Sequence, residues 1–323
     1  MKVGLSMVRR IDIFSLSFCI SLAGLSLALY GRQSFWSLLA VLVLSPVIML
    51  IYSTLAKRGD ADFIDLIKSK LGNGMAVFFG VFCIIAAASS AMLGSKLFCS
   101  SVFDDRGYLV LLLLMLAAAA YFALSKPVAK ARVATIVCIV TAFFLLLTLL
   151  LTLPKISSFK IDIDFDFKLK PFEIIGVCVF DLVGTFALLR KEHKQLPGAL
   201  GSAAAPAYFC TTALISTMIL SKEVLLSAKM PFILVWKTTF IGEFISHFEV
   251  YAICAVLAAA VIKSGAFLGM ALKALKDKYS PVVYVGAVAA AIGAGFIDNW
   301  FFIYTCTAFV FGLLLPIVLL IKK

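Results

Sequence analysis

Apolar residues in this sequence gather in long runs that stop only at short charged or turn-forming stretches. The runs cover 13–30, 35–55, 75–98, 108–124, 134–153, 172–189, 200–220, 240–261, 282–296 and 301–321. Each is close to the roughly 20 residues that an α-helix needs to cross the hydrocarbon core of a bilayer. The pattern therefore predicts an all-α integral membrane protein of ten spans. The first run follows Arg9 and Arg10, as a signal peptide would, but it is longer than a signal core and has no A-x-A exit, so it is expected to stay as the first helix.

Composition agrees, with 63% hydrophobic and only 14% charged residues. Soluble domains carry roughly 25% charged residues, and ten spans leave no room for a soluble catalytic domain. A net charge of +12 would suggest nucleic acid in a soluble protein, yet here the position of each cation matters more than the sum. With the N-terminus inside, the cytoplasmic side receives Lys2, Arg9 and Arg10; Lys57, Arg58, Lys68 and Lys70; Lys126, Lys130 and Arg132; Arg190, Lys191 and Lys194; Lys263, Lys273, Lys276 and Lys278; and Lys322 and Lys323. That is 19 of the 29 Lys and Arg, which predicts both termini on the cytoplasmic side and excludes a nucleic-acid partner in favour of the bilayer.

The longest outer connection, 154–170, separates a first five-helix half (1–153) from a second (171–323). Five is odd, so the halves take opposite orientations, as inverted repeats do. Within that loop Ile161, Ile163, Phe165 and Phe167 alternate with Lys160, Asp162, Asp164, Asp166 and Lys168, a strand signal. Its acidic spacing imitates a calcium loop, but Phe167 replaces the turn glycine and Pro171 intrudes, so no metal site is expected.

In inverted-repeat transporters the first helix of each half breaks near the midplane and offers backbone groups to the substrate. The matching patches are Ser17, Ser21, Gly24 and Ser26 in the first run and Asp181, Gly184 and Thr185 in the sixth. Of these, Ser21, Gly24, Ser26, Asp181, Gly184 and Thr185 are the candidate ligand-binding residues, with close helix packing through small residues as the alternative for the first patch. Asp181 is the sharpest signal, an acidic residue deep in an apolar span, where a carboxylate marks a proton, cation or ammonium site. Glu243, His247 and Glu249, at the start of the eighth run, are candidates for gating or coupling, against a role as interfacial anchors. Ser89, Ser90 and Gly94 fit either packing or the lining of a cavity.

The eight cysteines are spread almost one per run and read as packing residues. There is no Ser/His/Asp set, P-loop, GxGxxG after a strand or HExxH, so neither enzymatic chemistry nor a cofactor is expected.

Two stretches resemble the spore-germination permeases, the B-type subunits of nutrient germinant receptors. In one, Gln33-Ser34-Phe35-Trp36 opens the second run and Asp62-Phe63-Ile64-Asp65-Leu66-Ile67 precedes Leu71-Gly72. The other runs from Met230-Pro231-Phe232 through Ile241-Gly242-Glu243-Phe244 to His247-Phe248-Glu249. The resemblance implies a LeuT-like fold within the amino acid/polyamine/organocation transporter superfamily. It also implies a nutrient ligand, foremost an amino acid, a place in the spore inner membrane, and partnership with a large membrane subunit and a lipoprotein. The chain departs from the family pattern where Thr185 and Phe186 follow Gly184, in place of an early glutamate, and where His247 replaces a common arginine. A proton- or cation-coupled amino-acid transporter is the alternative that Asp181 and the paired patches support without the resemblance.

Overall fold

A computed structural model describes residues 9–28, 35–57, 62–102, 107–156, 175–176, 178–187, 196–220, 224, 231–237, 248–275, 280–297 and 299–322. The regular structure among them is entirely helical. The first half supplies α1 (Arg10–Ala28), α2 (Phe35–Lys57), α3 (Phe63–Leu71), α4 (Asn73–Val102), α5 (Tyr108–Leu124) and α6 (Pro127–Thr152). The second half supplies a 3-10 segment (Phe180–Ala187), α7 (Leu196–Ile219), α8 (Pro231–Lys237), α9 (Phe248–Leu275) and α10 (Ser280–Ala294). It ends in a rod made of α11 (Trp300–Phe309), a π turn (Val310–Leu314) and α12 (Leu315–Ile321). The alternating stretch 160–168 lies outside the described residues.

Among the described residues six helices are long and apolar enough to cross a membrane, and α5 and α10 are shorter apolar helices. Their outer faces carry large apolar side chains. On α6, Ile136, Ile139, Val140, Phe143, Leu146 and Leu150 are all exposed, a stripe at helical spacing that water would oppose and lipid would cover. These are the features of a multi-pass membrane protein.

Between α2 and α4 lies α3, which the hydropathy runs do not announce. Phe63, Ile64 and Ile67 give it one buried face, while Asp65 is exposed. Gly72, with φ 89, supplies the positive-φ residue that ends α3 so that α4 can begin at once.

At the centre stands α9, packed on α4, α5, α1 and α6. Its span is 78% buried, against 33% for α6, so α9 is a core helix and α6 a peripheral one. Along α7, α1 packs closely because Gly201 lies against the Phe14 carbonyl, where any Cβ would collide with backbone.

Two expectations are corrected. The eighth helix does not end at 261 ahead of a loop lysine; it runs from Phe248 to Leu275 with Lys263 inside it and wholly buried. A hydropathy reading stops at a charge, but this one is neutralised by a partner from another helix, so the span continues through it. The cytoplasmic tally of cations thus falls by one, from 19 to 18. The first helix does not unwind at its serine and glycine patch, since α1 is unbroken to Ala28. Its small residues are used in packing instead.

Candidate functional site

In the second half the chain leaves α-helical geometry where the sequence places Asp181, Gly184 and Thr185. The 3-10 segment tightens the backbone to i→i+3 bonding, which Thr185 reinforces by donating Oγ1 to the Leu182 carbonyl at 2.6 Å. Gly184 fits between α1 and α9, where a Cβ would come 3.3 Å from both Ile20 Cδ1 and Phe267 Cε2. Even a Cβ there requires the Ile20 or Phe267 side chain to give way by a few tenths of an ångström, and a larger side chain more.

The π turn is also irregular, and it touches the 3-10 segment Phe180–Ala187. Gly312 lies so close to the Phe180 carbonyl that a Cβ would collide with it. Tyr52 of α2 pins the junction: its hydroxyl lies 3.1 Å from the Phe180 carbonyl oxygen and is also within donating distance of the Gly312 carbonyl. Carbonyls freed from a regular ladder inside a membrane need such a donor, because no water is available to them.

Asp181 sits at this junction with no exposed surface. Its Oδ2 accepts from Lys263 Nζ at 2.8 Å and from the Tyr304 hydroxyl, a short contact. Lys263 is likewise wholly buried, about 22 Å along α9 from Phe248 and 18 Å from Leu275, hence near mid-span. Among the described residues the other carboxylate oxygen, Oδ1, has no hydrogen-bond partner. The arrangement is a neutral ion pair in a low-dielectric interior, steadied by a phenol and offering one acceptor lobe still to be used.

The candidates separate clearly. Asp181, Gly184 and Thr185 come together on the 3-10 segment, with Thr185 Oγ1 3.3 Å from Met49 Sδ. Ser21, by contrast, turns to α7 and donates to the Ser202 carbonyl at 3.1 Å, as Ser45 of α2 does at 3.2 Å. Gly24 is buried in α1, and the side chain of Ser26 lies outside the described residues. Ser17 Oγ is buried with no partner among the described residues, near Gly198 of α7. Glu243 and His247 also lie outside the described residues. Glu249 is buried in the first turn of α9, roughly 21 Å along the helix from Lys263, so it belongs to a different level of the bundle. Ser89 accepts from Trp300 Nε1 at 2.9 Å, and Gly94 packs against Met115.

Lys263, Tyr304 and Tyr52 are the site residues that sequence reasoning missed. The signal for Lys263 was present as a lone lysine in an otherwise apolar run from Tyr251 to Leu272. Reading it as a loop marker hid it. The tyrosines give a weaker signal, since a phenol in mid-span needs a partner but its position does not name one.

No family model matches the sequence, and no curated protein matches it. Comparison of folds does find a likeness, to a protein of the LeuT fold. The crystal structure of MhsT in complex with L-phenylalanine superposes with a TM-score of 0.61, covering 94% of this chain and 80% of MhsT at 13% identity. At that identity the likeness establishes the fold alone.

Proposed function

We propose that the chain is a membrane subunit that binds a small nutrient, foremost an amino acid, between its first helix and the 3-10 segment. In this reading it is the ligand-sensing B-type subunit of a spore nutrient germinant receptor, built as two inverted five-helix repeats with both termini cytoplasmic. It acts in the spore inner membrane beside a large membrane subunit and a lipoprotein, and it carries out no enzymatic step.

The observation that carries the binding role is the 3-10 segment itself, which holds Asp181 in the core with one carboxylate oxygen unpartnered among the described residues. Such a segment suits a ligand ammonium, which donates to Asp181 Oδ1, with backbone carbonyls of the segment as further acceptors. MhsT, of like fold, was solved with an amino acid, which supports an amino acid as the ligand class here. The receptor assignment rests on the Gln33 to Gly72 and Met230 to Glu249 resemblances.

One observation favours the second reading, a proton-coupled amino-acid transporter. Lys263 places a fixed positive charge on Asp181 in mid-span, and a buried pair of this kind can release or take up a proton as the helices around it move. Counterflow of radiolabelled amino acids in proteoliposomes separates the two. Saturable binding without sustained uptake supports the receptor subunit, uptake supports the transporter, and absence of both contradicts the shared binding role.

A further inference from the structure

At one end of the bundle, where α5 turns into α6 and α9 finishes, lies a cavity of about 290 Å³ whose lining includes Asp62, Ala123, Ser125, Lys130, Gly269 and Lys273. A water claims about 30 Å³, so the space suits a polyatomic group. Its position is that of span ends. Ala123 belongs to the last turn of α5, Lys130 to the start of α6, Lys273 to the last turn of α9, and Asp62 immediately precedes α3 without a side-chain capping bond.

The lining carries an excess of positive charge. Lys130 donates from Nζ to the Ala123 carbonyl at 2.6 Å, which uses one of the three donors an ammonium has. It can lie against α9 because Gly269 has no side chain; a Cβ there would come 3.1 Å from Nζ. Lys273 contributes a second ammonium, 2.7 Å from Asp62 Oδ2. The first turn of α6 has no side-chain cap, so the positive end of its dipole opens toward the same space. Against two ammoniums and a helix start stands one carboxylate, Asp62, already engaged by Lys273.

We propose that this cavity binds a phosphate group between Lys130 and Lys273. The ends of membrane spans lie at headgroup level, so the nearest source is an acidic phospholipid, and a soluble phosphate is the other source of the same chemistry. Its lining on α9 begins at Gly269, six residues beyond Lys263, and the proposal does not rest on the amino-acid reading.

Native mass spectrometry and thermal unfolding of the detergent-purified full chain test it, with phosphatidylglycerol, phosphatidylcholine and inorganic phosphate as separate probes. Phosphatidylglycerol is expected to stay bound, and to raise the unfolding temperature, at concentrations where phosphatidylcholine does neither. Lys130→Gln and Lys273→Gln should each weaken that binding about fivefold, while Lys96→Gln, outside the cavity, leaves it unchanged. Asp62→Asn should strengthen it, although it breaks the Lys273 salt bridge, because it removes the opposing charge. Gly269→Leu, which fills the cavity, should abolish it and serves should the lysine variants fail to fold. A shift by inorganic phosphate with the same lysine dependence assigns the site to soluble phosphate. The proposal is overturned if phosphatidylglycerol is held no better than phosphatidylcholine and inorganic phosphate has no effect, if Lys96→Gln loses as much as the cavity variants, or if Asp62→Asn weakens binding.

Discussion

Lys263 Nζ stands 2.8 Å from Asp181 Oδ2 with neither side chain exposed, joining the middle of the central helix α9 to the second residue of the 3-10 segment. Each charge alone would be costly at that depth, and together they form a neutral pair that the apolar bundle tolerates. Tyr304 from the closing rod adds its hydroxyl to the same carboxylate oxygen, so three separate elements meet on one atom.

Removing one partner of such a pair should cost far more than removing both. Lys263→Met is expected to destabilise the folded protein by about 3–5 kcal/mol, because Asp181 is left buried and uncompensated. The double variant Asp181→Leu with Lys263→Met should recover most of that loss. Thermal unfolding of the purified single and double variants measures the cycle, and simple additivity would show that the two groups do not interact.

Tyr304→Phe keeps the ring and deletes the donor to Asp181. A hydrogen bond to a charged group contributes about 1.5–3 kcal/mol, so a loss in that range is expected by the same unfolding measurement. In a background where Asp181 and Lys263 are already apolar, Tyr304→Phe should cost little. An equal cost in both backgrounds would place the hydroxyl's partner elsewhere.

The glycines divide by what faces them. Gly201→Ala and Gly312→Ala each drive a Cβ into a backbone carbonyl, of Phe14 and Phe180 respectively, so both should lower the yield of folded protein sharply. Gly293→Ala in α10 meets nothing within 4 Å and should be neutral or slightly stabilising, since alanine is the better helix former. Fluorescence-detected size-exclusion of the three variants reads the contrast directly.

Topology is open to a separate check. In a background without the eight native cysteines, a cysteine at 164 should react with an impermeant maleimide from the outer side. One at 193 should react only from the cytoplasmic side. The reverse pattern would invert the orientation that the lysines and arginines imply.

The membrane class and the irregular second-half helix were legible because both rest on local composition: long apolar runs, and an aspartate with glycine and threonine three and four residues on. The boundaries of α9 were not legible, for a reason that residues make plain. Lys263 carries the same letter as a loop lysine, and only its partner 82 positions earlier in sequence, Asp181, turns it into a core residue. The first-helix patch shows the converse. Ser21 and Gly24 have the composition of a break, but Ser202 of α7 takes the Ser21 hydroxyl and the helix stays regular. Long-range pairing decided both cases, and a linear pattern does not contain it. The amphipathic α3 was within reach, since Phe63, Ile64 and Ile67 have helical spacing, but its shortness hid it among the span counts.

Equilibrium binding of a panel of tritiated amino acids to the purified protein in nanodiscs tests the central claim most directly, with Asp181→Asn and Gly184→Leu beside the wild type. The account predicts saturable, competable binding of at least one amino acid. It further predicts that Asp181→Asn, which leaves Lys263 without its counter-charge and is therefore assayed on the folded fraction that size exclusion recovers, weakens it at least tenfold, and that Gly184→Leu abolishes it. Contradiction would be a folded wild type that binds none of the panel, or one whose binding is the same in all three proteins.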